Sequence, residues 1–163
     1  KVSIISRGHM GGYTRFLPDD ETALQTKKQL EARIVVALGG RAAEEVVLGD
    51  ITTGASNDME QATHIARTMI MKYGMSDKLG PRTLGKREET VFLGREVSEQ
   101  KDYSESIANQ IDEEVKNVIT TAYDKSKLLI KENIKTLNTV VDYLIDNETI
   151  EGEKLTNLLS TQS

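Results

Sequence analysis

Seven consecutive residues, Thr52-Thr53-Gly54-Ala55-Ser56-Asn57-Asp58, are small and polar and lie between two long helical patterns. Asn57 followed three residues later by Glu60 is a capping-box arrangement with Asn in the N-cap place. That spacing predicts Asp58 in the first turn of the next helix. A carboxylate there has three uses. It can satisfy free helix N–H groups and offset the positive end of the helix dipole, which is the commonest case. It can hold a partner Arg, or it can bind a metal ion. A second candidate is the pair Arg41 and Glu44, which fall on an otherwise apolar helical row. If buried, the two charges need each other or another partner; an internal ion pair is the plainer expectation. The alternative is that Glu44 orients a ligand in a nearby site, as carboxylates behind a metal do.

Other chemistry is sparse. The histidines are His9 and His64, on unrelated elements, and His64 lies off the apolar face of its helix, which predicts exposure. No HExxH, no Ser-His-Asp constellation and no GxxxxGK[ST] loop can be assembled. With no cysteine, thiol catalysis and Cys-based zinc sites are excluded.

The 163 residues suffice for one domain with a core. Apolar residues make up 37%, charged residues 29%, and the net charge is -5 with both signs interleaved. A nucleic-acid surface would need clustered Lys and Arg, so nucleic acid is not an expected partner. The longest apolar run, Ile34-Val35-Val36-Ala37-Leu38, falls far short of the roughly 20 residues a membrane span needs. Lys1 opens directly inside a strand-like pattern, which leads us to expect a neighbour upstream.

The positioning elements follow in order. Val2–Ser6 and Tyr13–Leu17 are β-rich runs around a glycine-rich turn, predicting a small hairpin or sheet edge that must pack on something else. Thr26 with Gln29 is a capping box opening a helix to about Leu48. Its rows are Leu30, Ile34, Ala37, Arg41, Glu44, Leu48 and Val35, Leu38, Ala42, Val46, so the helix is expected to be central. Gly39-Gly40 costs helix propensity, on the order of 1 kcal/mol each, and is read as allowing close backbone approach. A helix from about Asn57 to Tyr73 turns Met59, Ala62, Ala66, Met69, Ile70 and Tyr73 inward. Gly74–Glu96 is irregular, with Lys86–Glu89 a charged tip and Val91-Phe92-Leu93 a short strand or anchoring plug. A helix over about 104–131 carries the seam Ala108, Ile111, Val115, Val118, Ala122, Leu129. A break near Glu132-Asn133 leads to a helix with Leu137, Val140, Val141, Leu144 and Ile145 inward, the pair predicted to form an αα-hairpin. A last short helix covers Glu151–Leu159. The expected fold is mainly α: a helical bundle with a small N-terminal β element and a C-terminal αα-hairpin. Residues 1–99 would bear the site and 100–163 the helical hairpin.

A run of motifs then carries a resemblance. Leu38-Gly39-Gly40-Arg41-Ala42-Ala43-Glu44-Glu45, Thr52–Asp58, Tyr73-Gly74-Met75-Ser76, Leu79-Gly80-Pro81, Val91-Phe92-Leu93-Gly94-Arg95 and Ile111-Asp112-Glu113-Glu114-Val115 stand in the order and spacing of one family. Over almost its whole length the chain resembles the C-terminal peptidase region of the FtsH family of membrane-anchored, ATP-dependent zinc metalloproteases. The resemblance implies zinc held by two His of an HExxH helix and by a distant Asp, which maps to Asp58. It places Glu44 close to the zinc, and it makes Gly12, Tyr13, Thr14, Arg15 and Phe16 the edge strand that pairs with substrate. The HExxH helix would lie upstream of Lys1. The chain is therefore expected to carry one ligand of three and no general base, to bind zinc weakly and to cleave nothing alone. Family membership further implies polypeptide substrates, unfolded or misassembled, and an upstream ATPase module using ATP. It also implies a hexamer of like subunits and membrane anchoring through upstream segments. This soluble part would then face the cytoplasm or an organelle's stroma or matrix. The other reading is a non-catalytic helical scaffold that assembles with active subunits.

Overall fold

A computed structural model describes residues 1–5, 12–15, 24–85 and 102–160. The Arg7–Gly11 part of the glycine-rich turn, His9, Phe16-Leu17, the Lys86–Glu89 tip and Val91-Phe92-Leu93 lie outside the described residues. The fold is mainly α with a small antiparallel sheet, as the patterning predicts. It divides into two units, Gln25–Leu128 and Lys1–Leu24 with Leu129–Ser163.

The larger unit opens with α1 (Lys27–Ala37). Its start is the expected capping box: the Thr26 hydroxyl accepts from the Gln29 amide at 3.2 Å, and the Gln29 side chain accepts from the Thr26 amide at 2.8 Å. Both groups are free N–H donors of a helix start, satisfied reciprocally. Thr26→Ala is expected to cost about 1 kcal/mol, read as a lower urea midpoint at unchanged slope; no change in midpoint would show the cap to be dispensable.

The expected helix to Leu48 is not one uniform helix. A turn at Leu38 separates α1 from α2 (Gly39–Ala43), and Glu44–Leu48 then forms a π-helical turn closed by Gly49 at φ 71°. Gly39-Gly40 loosens the hydrogen-bond ladder here through low helix propensity. Close backbone approach is not the reason for the glycines: a Cβ at Gly39 would meet only the Ser126 hydroxyl at 4.0 Å, and one at Gly40 would meet nothing within 4 Å.

Helix α3 (Ser56–Met71) packs on α1. Leu30, Ile34, Val35 and Leu38 meet Ala62, Ile65, Ala66, Met69 and Ile70, and α4 (Glu105–Glu132) adds Ile111, Val115 and Ala122. Each fully buried Ile, Leu or Met contributes about 1.5–3 kcal/mol, and Ile34, Leu38 and Met69 are all under 2% exposed. The periodic rows overreach at their ends. Leu48, Tyr73 and Leu129 are exposed; Leu48 falls in the π-helical turn and Tyr73 lies past the end of α3. Ser126, three turns of seam beyond Val115, is buried in place of Leu129.

The first part of the irregular segment is pinned. The Met75 amide donates to Met69 O at 2.9 Å, and the Leu84 amide to Met71 O at 2.8 Å. Ser76, buried, donates its hydroxyl to Glu114 on α4 at 2.7 Å and accepts from the Leu79 amide. Lys78 bridges Glu113 on the same helix at 2.6 Å.

The smaller unit contains β1 (Val2–Ser3), β2 (Tyr13–Thr14), α5 (Ile134–Asn147), β3 (Thr149–Ile150) and α6 (Gly152–Ser160). The strand order is β2-β1-β3, antiparallel throughout, with Val2 opposite Thr14 and Ile150. The expected hairpin thus gains a third strand from the far end of the sequence. Ser3 is buried and ties the two together: its hydroxyl donates to Glu148 O and accepts from the Thr149 hydroxyl at 2.9 Å. The helix break falls at Asn133, and α5 packs on β3 and α6. Of the five α5 residues expected inward, Leu144 is buried, whereas Val141 and Ile145 are exposed.

Candidate functional site

The loop into α3 is built from Glu44, the first residue of the π-turn. Its carboxylate takes two bonds from Thr52, from the backbone N–H at 2.9 Å and from the hydroxyl at 2.7 Å. Thr52 is extended (φ -117°, ψ 175°) and its hydroxyl oxygen accepts from the Gly54 amide at 3.1 Å. A 3₁₀ turn over Thr53–Ala55 follows and runs straight into α3.

The expected N-cap is corrected by this arrangement. Asn57 is already inside α3, whose N-cap position is Ala55 with no side-chain cap bond, so the Asn57–Glu60 box does not form. The 3₁₀ turn moves the capping job one turn earlier, to Thr52. Asp58 does stand in the first turn of α3. It is exposed, and among the described residues no hydrogen bond or ion pair engages it. No Arg takes it there, which leaves the helix dipole and an external ligand as its uses.

The Arg41–Glu44 ion pair is likewise corrected. Among the described residues Glu44 spends its oxygens on Thr52, while the Arg41 guanidinium lies 6.0 Å from the Tyr123 ring centroid. The neighbouring Glu45 reaches α4 instead, accepting from the Tyr123 hydroxyl and from Lys127 at 3.5 Å. Adjacent residues on a helical turn point in different directions, so Glu44 grips the loop and Glu45 grips α4. The sequence reading missed Glu45, Tyr123, Lys127 and Thr52. The visible signal was two adjacent acids on one turn, which face two elements.

Electrostatics follow from these bonds. The Thr52 hydroxyl, then its amide, holds the Glu44 carboxyl below the ordinary carboxylate value, and the Tyr123 hydroxyl does the same for Glu45. Burial, then Glu45, pushes the Tyr123 phenol up. A carboxyl depressed in the folded state stabilises above its unfolded pKa, and that contribution fades as pH falls through the folded value. For Glu44 the unfolded reference is 4.5. Stability is therefore expected to decline on acidification below about pH 5, less steeply in Glu44→Gln. Urea midpoints from pH 6 to pH 3 check this; parallel curves for the two proteins would refute it.

His64 is exposed on α3 beside Glu60, Thr63 and Arg67, as expected. Among the described residues no three His, Asp or Glu converge on a possible metal position. In the smaller unit, β2 pairs with β1 on one side and is an edge on the other among the described residues. The Arg15 amide extends that pairing to Lys1 O at 2.8 Å. Gly12 is required there, because a Cβ would lie 2.8 Å from Ser3 O.

The sequence signature described as peptidase family M41 matches residues 1–158. An "ATP-dependent zinc metalloprotease FtsH" of Chloroflexus aggregans is 49% identical over 98% of this chain and 25% of its own length. Proteins of the same name from Thermotoga maritima and Caldicellulosiruptor bescii are 47% and 46% identical, covering 99% and 98% of the chain and 27% and 26% of their own lengths. The chain thus spans about a quarter of the length of these relatives. A match over nearly every residue at such identity leaves no ambiguity about descent: the chain belongs to peptidase family M41.

Proposed function

We propose that this chain is the peptidase part of an ATP-dependent zinc metalloendopeptidase acting on unfolded or misassembled polypeptides, and that Asp58 supplies one zinc ligand. The observation that carries the reading is the Asp58 carboxylate itself, held in the first turn of a core-packed helix and engaged by none of the described residues. Its donor set fits a single-ligand role. It is oxygen-bearing and exposed, and a carboxylate oxygen is a known zinc donor.

With no HExxH in the 163 residues, the two imidazoles and the general base come from elsewhere in the working enzyme. When bound, zinc polarises the scissile carbonyl and acidifies its water. This chain's own residues position and bind. Asp58 offers an oxygen at a fixed helix start. Glu44 holds the loop before it. We infer that the β2 edge, with Gly12, Tyr13, Thr14 and Arg15, accepts an extended substrate by main-chain pairing, as sheet edges do; Phe16 is included from the sequence. The assembly we infer is a hexamer of like subunits with ATPase and membrane-anchoring parts outside this chain, which carries, among its described residues, no helix long and apolar enough to cross a membrane. The test is zinc content and casein cleavage in the full-length protein carrying Asp58→Ala; retention of both overturns the ligand assignment.

A further inference from the structure

The geometry points to Thr52 as a positioning residue for the Asp58 carboxylate, an inference that rests on the zinc-ligand reading above. Thr52 makes three bonds in a small space. Its amide and hydroxyl both donate to Glu44, at 2.9 and 2.7 Å, and its oxygen accepts from the Gly54 amide at 3.1 Å. A hydroxyl has one proton. With that proton committed to a carboxylate, the oxygen's lone pairs are aimed at Gly54, and the charged acceptor strengthens the chain of bonds by polarisation.

The consequence is mechanical. Helix α3 is fixed at its far end by the burial of Ala62, Ala66 and Met69 in the core. Its near end carries no side-chain cap of its own. The first turn, where Asp58 sits, is therefore held through the 3₁₀ turn and Thr52 by the π-turn carboxylate. The fit is close: a Cβ at Gly54 would come within 3.2 Å of the Thr52 hydroxyl oxygen and 3.6 Å of Glu44 Oε1. Glu45 holds the same π-turn from the other side through Tyr123. Such a chain fixes the backbone from which the Asp58 side chain springs before metal arrives.

The experiment compares Thr52→Val, Thr52→Ser and Asp58→Ala in the full-length protein. Zinc affinity is read by competition with a chromophoric chelator, and Gly54 amide exchange is read in the metal-free protein. Thr52→Val, equal in shape but without the hydroxyl, is expected to weaken zinc about tenfold, the range for groups that orient a ligand, and to speed Gly54 exchange. Thr52→Ser restores the hydroxyl and is expected to return zinc affinity to within about twofold of the parent, which a packing role for the methyl would not do. Should Thr52→Val fail to fold, Glu44→Gln takes its place with an expected loss of several-fold. Parental zinc affinity in Thr52→Val, or in Glu44→Gln where that variant stands in, overturns the positioning role if Asp58→Ala has lost zinc. Parental affinity in Asp58→Ala as well overturns the ligand reading beneath it.

Discussion

Asp58→Ala in the full-length protein is expected to lower zinc affinity by about a hundredfold or more, since loss of a ligand exceeds the 10–100-fold effect of losing a group behind one. On the proposed site, proteolysis should fall with it, because the metal would be left short of the three protein ligands of a catalytic site. The fold should barely respond. Asp58 is exposed and bonded to none of the described residues, so its removal costs only the charge–dipole contribution of a first-turn carboxylate, about 0.3–1 kcal/mol. That separation makes the result readable: zinc loss with an unchanged melting curve assigns ligation. Asp58→Asn keeps an oxygen but not the charge and should fall between. Full zinc occupancy in Asp58→Ala would remove this residue from the metal site.

Gly74→Ala is the substitution expected to damage stability most. Gly74 has φ +60°, a region that costs an L-residue about 1–2 kcal/mol. Space is the greater obstacle. An added Cβ would lie 2.8 Å from the Arg82 amide nitrogen and 3.1 Å from Arg82 O, both backbone atoms. The segment cannot yield easily, since Met75 and Leu84 are bonded to the last turn of α3 and Ser76 to Glu114. A loss of about 3 kcal/mol follows, lowering the melting temperature by roughly 10 °C for a chain of this size. A drop below about 1 kcal/mol in equilibrium urea unfolding would mean that the loop relaxes around the methyl.

Some local signals read well here, and the non-local ones did not. The Thr26–Gln29 box involves residues three apart and was legible. So was the phase of α1, α3 and α4, because a core stripe repeats with the helix itself. Glu44 was legible as a displaced charge, but its partner was not. Arg41 is adjacent on a helical wheel, whereas Thr52 lies across a loop whose path only the fold reveals. Asn57 misled because a 3₁₀ turn lengthens the helical run without a mark in the sequence. Gly39-Gly40 misled because glycine signals either close approach or a weak ladder, and only the surroundings decide. Residue spacing left Asp58 with three uses, and its proposed place in a metal site rests on the family resemblance.

The pairing of Ser3 with Thr149 has a temporal side. Their hydroxyls lie 146 positions apart in the chain. At translation rates of roughly 5–20 residues per second, the first strand waits on the order of ten seconds for the strand that completes its sheet. The smaller unit's sheet is therefore completed only after residues 149–150 have been made, and β1 carries an unpaired edge until then.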